Sequence, residues 1–130
     1  MKTPAKKKRP SSFISWFEIP ATNFERAVQF YDQIFGMQLE TNEMSGYSMA
    51  FFPADSLVGG AIICGEGSIP SQNGPLIYLN GGDDLNEVLL KVEEAGGKVI
   101  LSKQKINDEN GYFALFIDSE GNKMALHSNN

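Results

Sequence analysis

One cysteine, one histidine and one tryptophan are all that 130 residues contain of these three types. Cys64 alone excludes an intrachain disulfide and a cysteine-rich zinc site, and it fits a reducing compartment. No apolar run approaches the ~20 residues needed to cross a bilayer. No apolar stretch follows the basic start, so neither a secretory signal nor membrane contact is expected, and the expected location is cytoplasmic. Phosphate-binding motifs are missing too. The Gly pairs at 59–60, 81–82 and 96–97 form neither GxxxxGK[ST] nor a GxGxxG opening a helix after a strand.

Basic residues are scarce once the first twelve positions are passed. Lys2, Lys6, Lys7, Lys8 and Arg9 are five of the eleven, and residues 13–130 carry six basic against sixteen acidic groups, a net of −10. An acidic body repels phosphate backbones, which excludes nucleic-acid binding through the fold itself. The tail, residues 1–12, is expected to be a solvated, disordered extension. The alternative is an interaction module that acts through this tail on RNA, an anionic surface or an import receptor. Apolar residues make up 42% and charged residues 21%, which excludes an intrinsically disordered chain. The length suits one domain, or two half-domains sharing a core.

What is present is a pattern that occurs twice. Phe13 to Ile19 has strand character and is closed by Pro20. Thr22-Asn23-Phe24-Glu25 has capping-box spacing, with Thr22 placed to accept from the Glu25 amide. Phe24, Ala27, Val28, Tyr31, Ile34 and Phe35 then make a helical stripe that predicts a helix at about 22–35, with Gly36 as its left-handed stop. Extended segments are expected at about 37–44, 47–53 and 58–65. GEGSIPSQNGP, residues 65–75, interrupts the pattern as a linker. A short strand at 76–79 follows, then a helix at about 84–95 ended by Gly96-Gly97, and strands at about 98–106, 111–117 and 122–128. Adding 61 to Phe24, Ala27, Val28, Tyr31 and Ile34 gives Leu85, Val88, Leu89, Val92 and Ala95, and Gly36 falls on Gly97. The chain reads as a duplicated βαβββ unit: a first module at 13–66, a linker at 67–74 and a second module at 75–130. The fold class is α+β.

The segments WFEIPATNFERAVQFYDQIFGMQLE and GYFALFIDSEGNKMALHS resemble the opening and the closing hairpin of the vicinal oxygen chelate superfamily, which includes glyoxalase I, extradiol dioxygenases and bleomycin-resistance proteins. The resemblance covers residues 13–128 and implies two βαβββ modules with curved mixed sheets enclosing a cleft. It also implies metal-ligand positions on the first and last strands of each module. Seven residues before Asn23 lies Trp16, and four after Gly121 lies Ala125. Applying the offset of 61 gives Ile77 and Cys64. Three of these four cannot donate a lone pair to a metal and a single thiolate cannot hold one alone, so no metal and no cofactor are expected.

Alternation along a strand puts Glu18 on the face of Trp16, about 6.8 Å away. One pleat from each missing ligand stand Glu18, Glu66, Leu79 and His127. Glu18, Glu66 and His127 define a displaced two-carboxylate, one-histidine site as an alternative. Glu18 sits mid-strand in an apolar run, a place for a partnered structural carboxylate or for a general base, with His127 as a possible acid. Cys64 reads as a small core residue or as a cleft contact. Tyr47, Phe51, Phe52, Tyr112, Phe113 and Phe116 gather on the inner strands, and Phe52 is a candidate pocket wall. The expected ligand contacts are thus Trp16, Glu18, Phe52, Cys64, Ile77, Leu79, Ala125 and His127. The expected function is binding of a small organic molecule by a homodimer. The alternative is a metal-independent lyase or isomerase with Glu18 as base.

Overall fold

In the computed structural model residues 12–54 and 58–130 are described. The expected tail therefore lies, Ser12 apart, outside the described residues. β1 (Trp16–Pro20), α1 (Phe24–Phe35), β2 (Glu40–Met44), β3 (Tyr47–Phe52) and β4 (Gly59–Cys64) form the first βαβββ module. β5 (Tyr78–Asn80), α2 (Asn86–Leu89), β6 (Lys98–Asn107), β7 (Gly111–Ile117) and β8 (Lys123–Ser128) form the second. Each module has a four-stranded mixed sheet, ordered β1-β4-β3-β2 and β5-β8-β7-β6, with the first pair in each parallel. The duplication is therefore visible as topology. No helix among the described residues is long and apolar enough to cross a membrane.

Local chemistry moves several boundaries. The expected capping box does not form: Asn23 caps α1, its side chain accepting from the Arg26 amide at 3.1 Å. β1 begins at Trp16, where pairing with β4 begins, and leaves Phe13 and Ile14 exposed. Residues 37–39 do not extend β2 because Asp32 holds them to the helix end. Its carbonyl accepts from Met37 N at 3.0 Å and its side chain from Leu39 N at 2.8 Å. The second helix is shorter than 84–95. Leu85 at its N-cap offers no side-chain bond, and beyond Leu89 the backbone tightens into turns, with Lys91 N donating to Val88 O and Val92 N to Leu89 O. The apolar stripe is nonetheless right, since Leu85, Val88, Leu89 and Val92 are all buried.

The modules share one core built from the helix-side faces of both sheets. Tyr31 of α1 meets Phe52 of its own sheet edge-on at 5.7 Å, while Phe30 meets Phe116 of the other sheet at 6.1 Å. Gly97 is glycine for this reason: a Cβ there would stand 2.5 Å from the Ile117 carbonyl oxygen and 2.8 Å from Phe30. It is a packing position, and the left-handed stop falls one residue earlier, at Gly96 with φ +109. Packing between helix-side faces turns the other face of each sheet away from the shared core.

The β7–β8 turn ties the modules together. Asp118, buried, accepts from the Tyr31 hydroxyl at 2.7 Å and from Asn122 Nδ2 at 3.0 Å. Asn122 Nδ2 also donates to Pro20 O at 2.7 Å. Burial, and the Asp118 charge beside it, push the Tyr31 phenol well above its ordinary pKa, so it stays a donor. Glu120 lies across the start of α1 and accepts from the backbone amides of Thr22 and Asn23 at 3.0 and 2.7 Å, and from Arg26 Nε at 2.7 Å. A carboxylate from one module thus satisfies amides that precede the helix of the other.

Burial alone would raise the Glu120 pKa. The Arg26 and Asn23 bonds, Ser119 and the Arg26 charge outweigh it and bring it from 4.5 to about 2. A depressed carboxylate stabilises the fold above its unfolded value, and that stability is lost as pH falls from about 4.5 toward about 2. Glu120→Gln is expected to cost about 2 kcal/mol at neutral pH, the guanidinium being half exposed, and to flatten the acid limb of stability over that window. Urea melts at a series of pH values measure both. An unchanged acid limb would contradict the role given to Glu120.

Candidate functional site

The register of the sheets decides which side chains face outward. Trp16, Glu18 and Ala61 share the outer face of the first sheet with Phe51, since Trp16 pairs with Gly59 and Glu18 and Phe51 both pair with Ala61. Tyr78, Ala125, Leu115 and His127 share the outer face of the second by the same pairings. Four expected contacts lie on the other side. Phe52 packs against Phe17 at 5.5 Å with the rings tilted by 41°, Cys64 directs its sulfur to the Thr22 carbonyl at 3.7 Å, and Ile77 and Leu79 pack on the core. Phe52 and Leu79 do line a groove of about 490 Å³, but it lies on the helix side, between the end of α1 and β5.

For Cys64, Ile77 and Leu79 the displacement has a simple cause. The offset between modules is 61 in the helices, where Ala27 and Tyr31 correspond to Val88 and Val92. In the first strands it is 60 and in the last strands 64: Ala21 N donates to Ile63 O as Gly81 N donates to His127 O. A shift of one residue turns a strand position to the opposite face. The counterpart of Glu18 is therefore Tyr78, that of Trp16 is Leu76, and that of Ala125 is Ala61.

With this register the metal positions implied by the resemblance are Trp16, Ala61, Leu76 and Ala125. An indole and three alkyl groups cannot coordinate a divalent ion, so the residues present do not fit the metal of the metal-dependent relatives. The displaced alternative fails within one chain as well. Glu18, Glu66 and His127 do not come together, and among the described residues no three His, Cys, Asp or Glu side chains do. His127 Nε2 lies 2.7 Å from the Asn110 carbonyl oxygen, which can only accept, so Nε2 carries a proton already in use.

What the first sheet does build is an aromatic platform with a carboxylate at its edge. The indole lies over Gly59, where a Cβ would stand 3.0 Å from its Cζ3. Phe51 flanks it at 6.2 Å, tilted by 59°. Trp16 Nε1 donates to Glu18 Oε2 at 3.3 Å, which ties the ring to the carboxylate. Trp16 is 45% exposed and Tyr78, the counterpart of Glu18, 52%. Ala61 and Ala125 on the same faces are fully buried. Large exposed rings among small neighbours suit a flat occupant.

Paired βαβββ modules of this order place the chain in a known class. It belongs to the Glyoxalase/Bleomycin resistance protein/Dioxygenase superfamily, whose description matches residues 13–126. A glyoxylase-like domain-containing protein of Didymella fabae is 31% identical over 118 residues, 87% of this chain and 91% of that protein. A glyoxalase/bleomycin resistance protein from Albidiferax ferrireducens superposes with a TM-score of 0.69 at 17% identity, covering 88% of this chain and 97% of its own. An antibiotic binding protein from Streptomyces gives 0.64 at 21% identity, covering 93% and 98%. Glyoxalase I from Zea mays gives 0.64 at 18%, covering 88% of this chain but only 44% of the maize chain, so this protein spans less than half of that enzyme.

The donor chemistry makes a direct expectation. Incubation of the purified protein with EDTA should leave its melting temperature unchanged, because an indole and three alkyl groups offer a divalent ion no donors through which its binding could stabilise the fold. A clear fall in melting temperature, reversed by one divalent metal, would overturn the assignment of these positions.

Proposed function

We propose that the protein binds a small, flat, cationic organic molecule against Trp16, in a cleft completed by the second module of another copy. The observation that carries this reading is the half-exposed indole resting on Gly59 with Glu18 at its edge. An exposed aromatic face attracts a cation through its quadrupole, and a neighbouring carboxylate adds charge attraction. The net charge of −10 on residues 13–130 favours the same ligand sign at longer range. The fold itself serves binders as well as enzymes, as the name of the Streptomyces neighbour records.

A homodimer supports the cleft. The outer faces of the two sheets point away from the shared core, so each gains an opposing wall from a second chain. The maize enzyme, with more than twice the matched length in one chain, is consistent with a need for two such units. Phe113, Leu115 and Ile117 of β7, all half-buried, are the apolar part of the face that would oppose Trp16.

Trp16 is the only tryptophan, so its fluorescence reports on this face alone. Titration with N-methylquinolinium should quench it saturably, while an anionic naphthalene sulfonate should bind at least about tenfold more weakly. Glu18→Gln should weaken the cation by roughly three- to tenfold. The alternative reading, Glu18 as general base, requires instead that Glu18→Gln abolish turnover of a bound substrate. No saturable quenching by either probe would contradict binding at this platform.

A further inference from the structure

A second pocket lies at the seam where the edge strand β1, the linker and the start of β8 meet. Its volume is about 250 Å³, just below the range of about 300–1,000 Å³ that holds drug-sized ligands. One wall is β1 at Glu18 to Pro20, a strand with a sheet neighbour on one side only. The linker supplies the second through Ile69, Ser71 and Pro75, and Lys123 and Met124 supply the third.

Asn122 holds the three walls in place. It is buried, its Nδ2 donates to Pro20 O at 2.7 Å, and its Oδ1 accepts from Ser71 N at 3.0 Å. Lys123 N then donates to Ser71 O at 3.2 Å, so both backbone groups of Ser71 are tied to the turn and the first residue of β8. The pocket is therefore preorganised by bonds that no ligand has to form.

Its charges are complementary and unpaired by any opposite charge, Glu18 accepting only from the Trp16 indole through Oε2. Glu18 lines one wall and Lys123 another, and among the described residues they form no ion pair with each other or with any other group. Ile19, Ile77 and Met124 give the lining its apolar part, beside the polar Asn73. Ile69 stands at the rim 76% exposed, an apolar side chain placed toward solvent on a linker otherwise polar and glycine-rich.

We infer that this seam binds a zwitterion the size of a single amino acid: an ammonium toward Glu18, a carboxylate toward Lys123 and an aliphatic side chain between. A phosphate would meet Glu18 as a like charge, and a wholly apolar ligand would leave both charges without partners in a narrower space. The site is separate from the indole platform, although Glu18 borders both.

L-leucine, N-acetyl-L-leucine and L-leucine amide distinguish the charge requirements, read by amide chemical shifts of the full chain. Leucine should saturate shifts at Ile69, Ile77 and Met124, and each analogue, lacking one charge, should bind at least about tenfold more weakly. Lys123→Met should bring leucine to the level of the amide, leave the amide unaffected, and leave quenching of Trp16 by N-methylquinolinium as in the wild type. The analogue comparison on unaltered protein decides the question even if the variant does not fold. Equal binding of all three compounds, shifts confined to Trp16 and Phe51, or none up to about 20 mM would overturn the inference. The two sites share Glu18, but the leucine series is read at Ile69, Ile77 and Met124 and the quinolinium titration at Trp16, so the failure of one is distinguishable from the failure of the other.

Discussion

Two carboxylates in one turn determine how the halves of this molecule face each other. Asp118 and Glu120 leave the second sheet between β7 and β8 and end against α1 of the first module, on the Tyr31 hydroxyl and on the amides of Thr22 and Asn23. An acceptor at that place does two jobs with one geometry. It satisfies donors that burial would otherwise leave unpaired, and it sets α1 between the helix-side faces of both sheets. The open outer faces, the indole platform and the seam pocket all follow from that orientation. The seam depends on it most directly, because Asn122, which clamps its walls, belongs to the same turn and donates to Asp118.

Much of the architecture was legible in the sequence because it is written locally. A helical stripe, a left-handed glycine at Gly36 and alternation in 111–117 each need only their neighbours. Repetition made the reading stronger, since five apolar positions in one register define both helices at once. The same regularity misled at the site. Helices tolerate a one-residue error in offset by rotating 100°, whereas strands invert their faces, so an offset of 61 carried from helix to strand sent Cys64, Ile77 and Leu79 to the wrong side. The loops that absorb the difference leave no periodic trace.

Long-range polar partners were illegible for a different reason. Nothing near Arg26 in sequence points to Glu120, and nothing near Pro20 points to Asn122, since each pair meets only after both modules have folded. The one available signal was chemical: Asp118, Glu120 and Asn122 crowd a tight turn between two apolar strands, more polar groups than a turn alone can use. Conversely, the donor chemistry of Trp16 and Ala125 was legible without any structure, and the corrected counterparts Leu76 and Ala61 deepen the misfit with a metal.

The proposed cleft requires that each outer face find its opposing wall in another copy. Static light scattering of the full chain at micromolar concentration tests this most directly. A mass of about twice 14.3 kDa, stable on dilution, is the result predicted. A mass of 14.3 kDa at every concentration would leave the indole platform facing water and would contradict the cleft proposed for it.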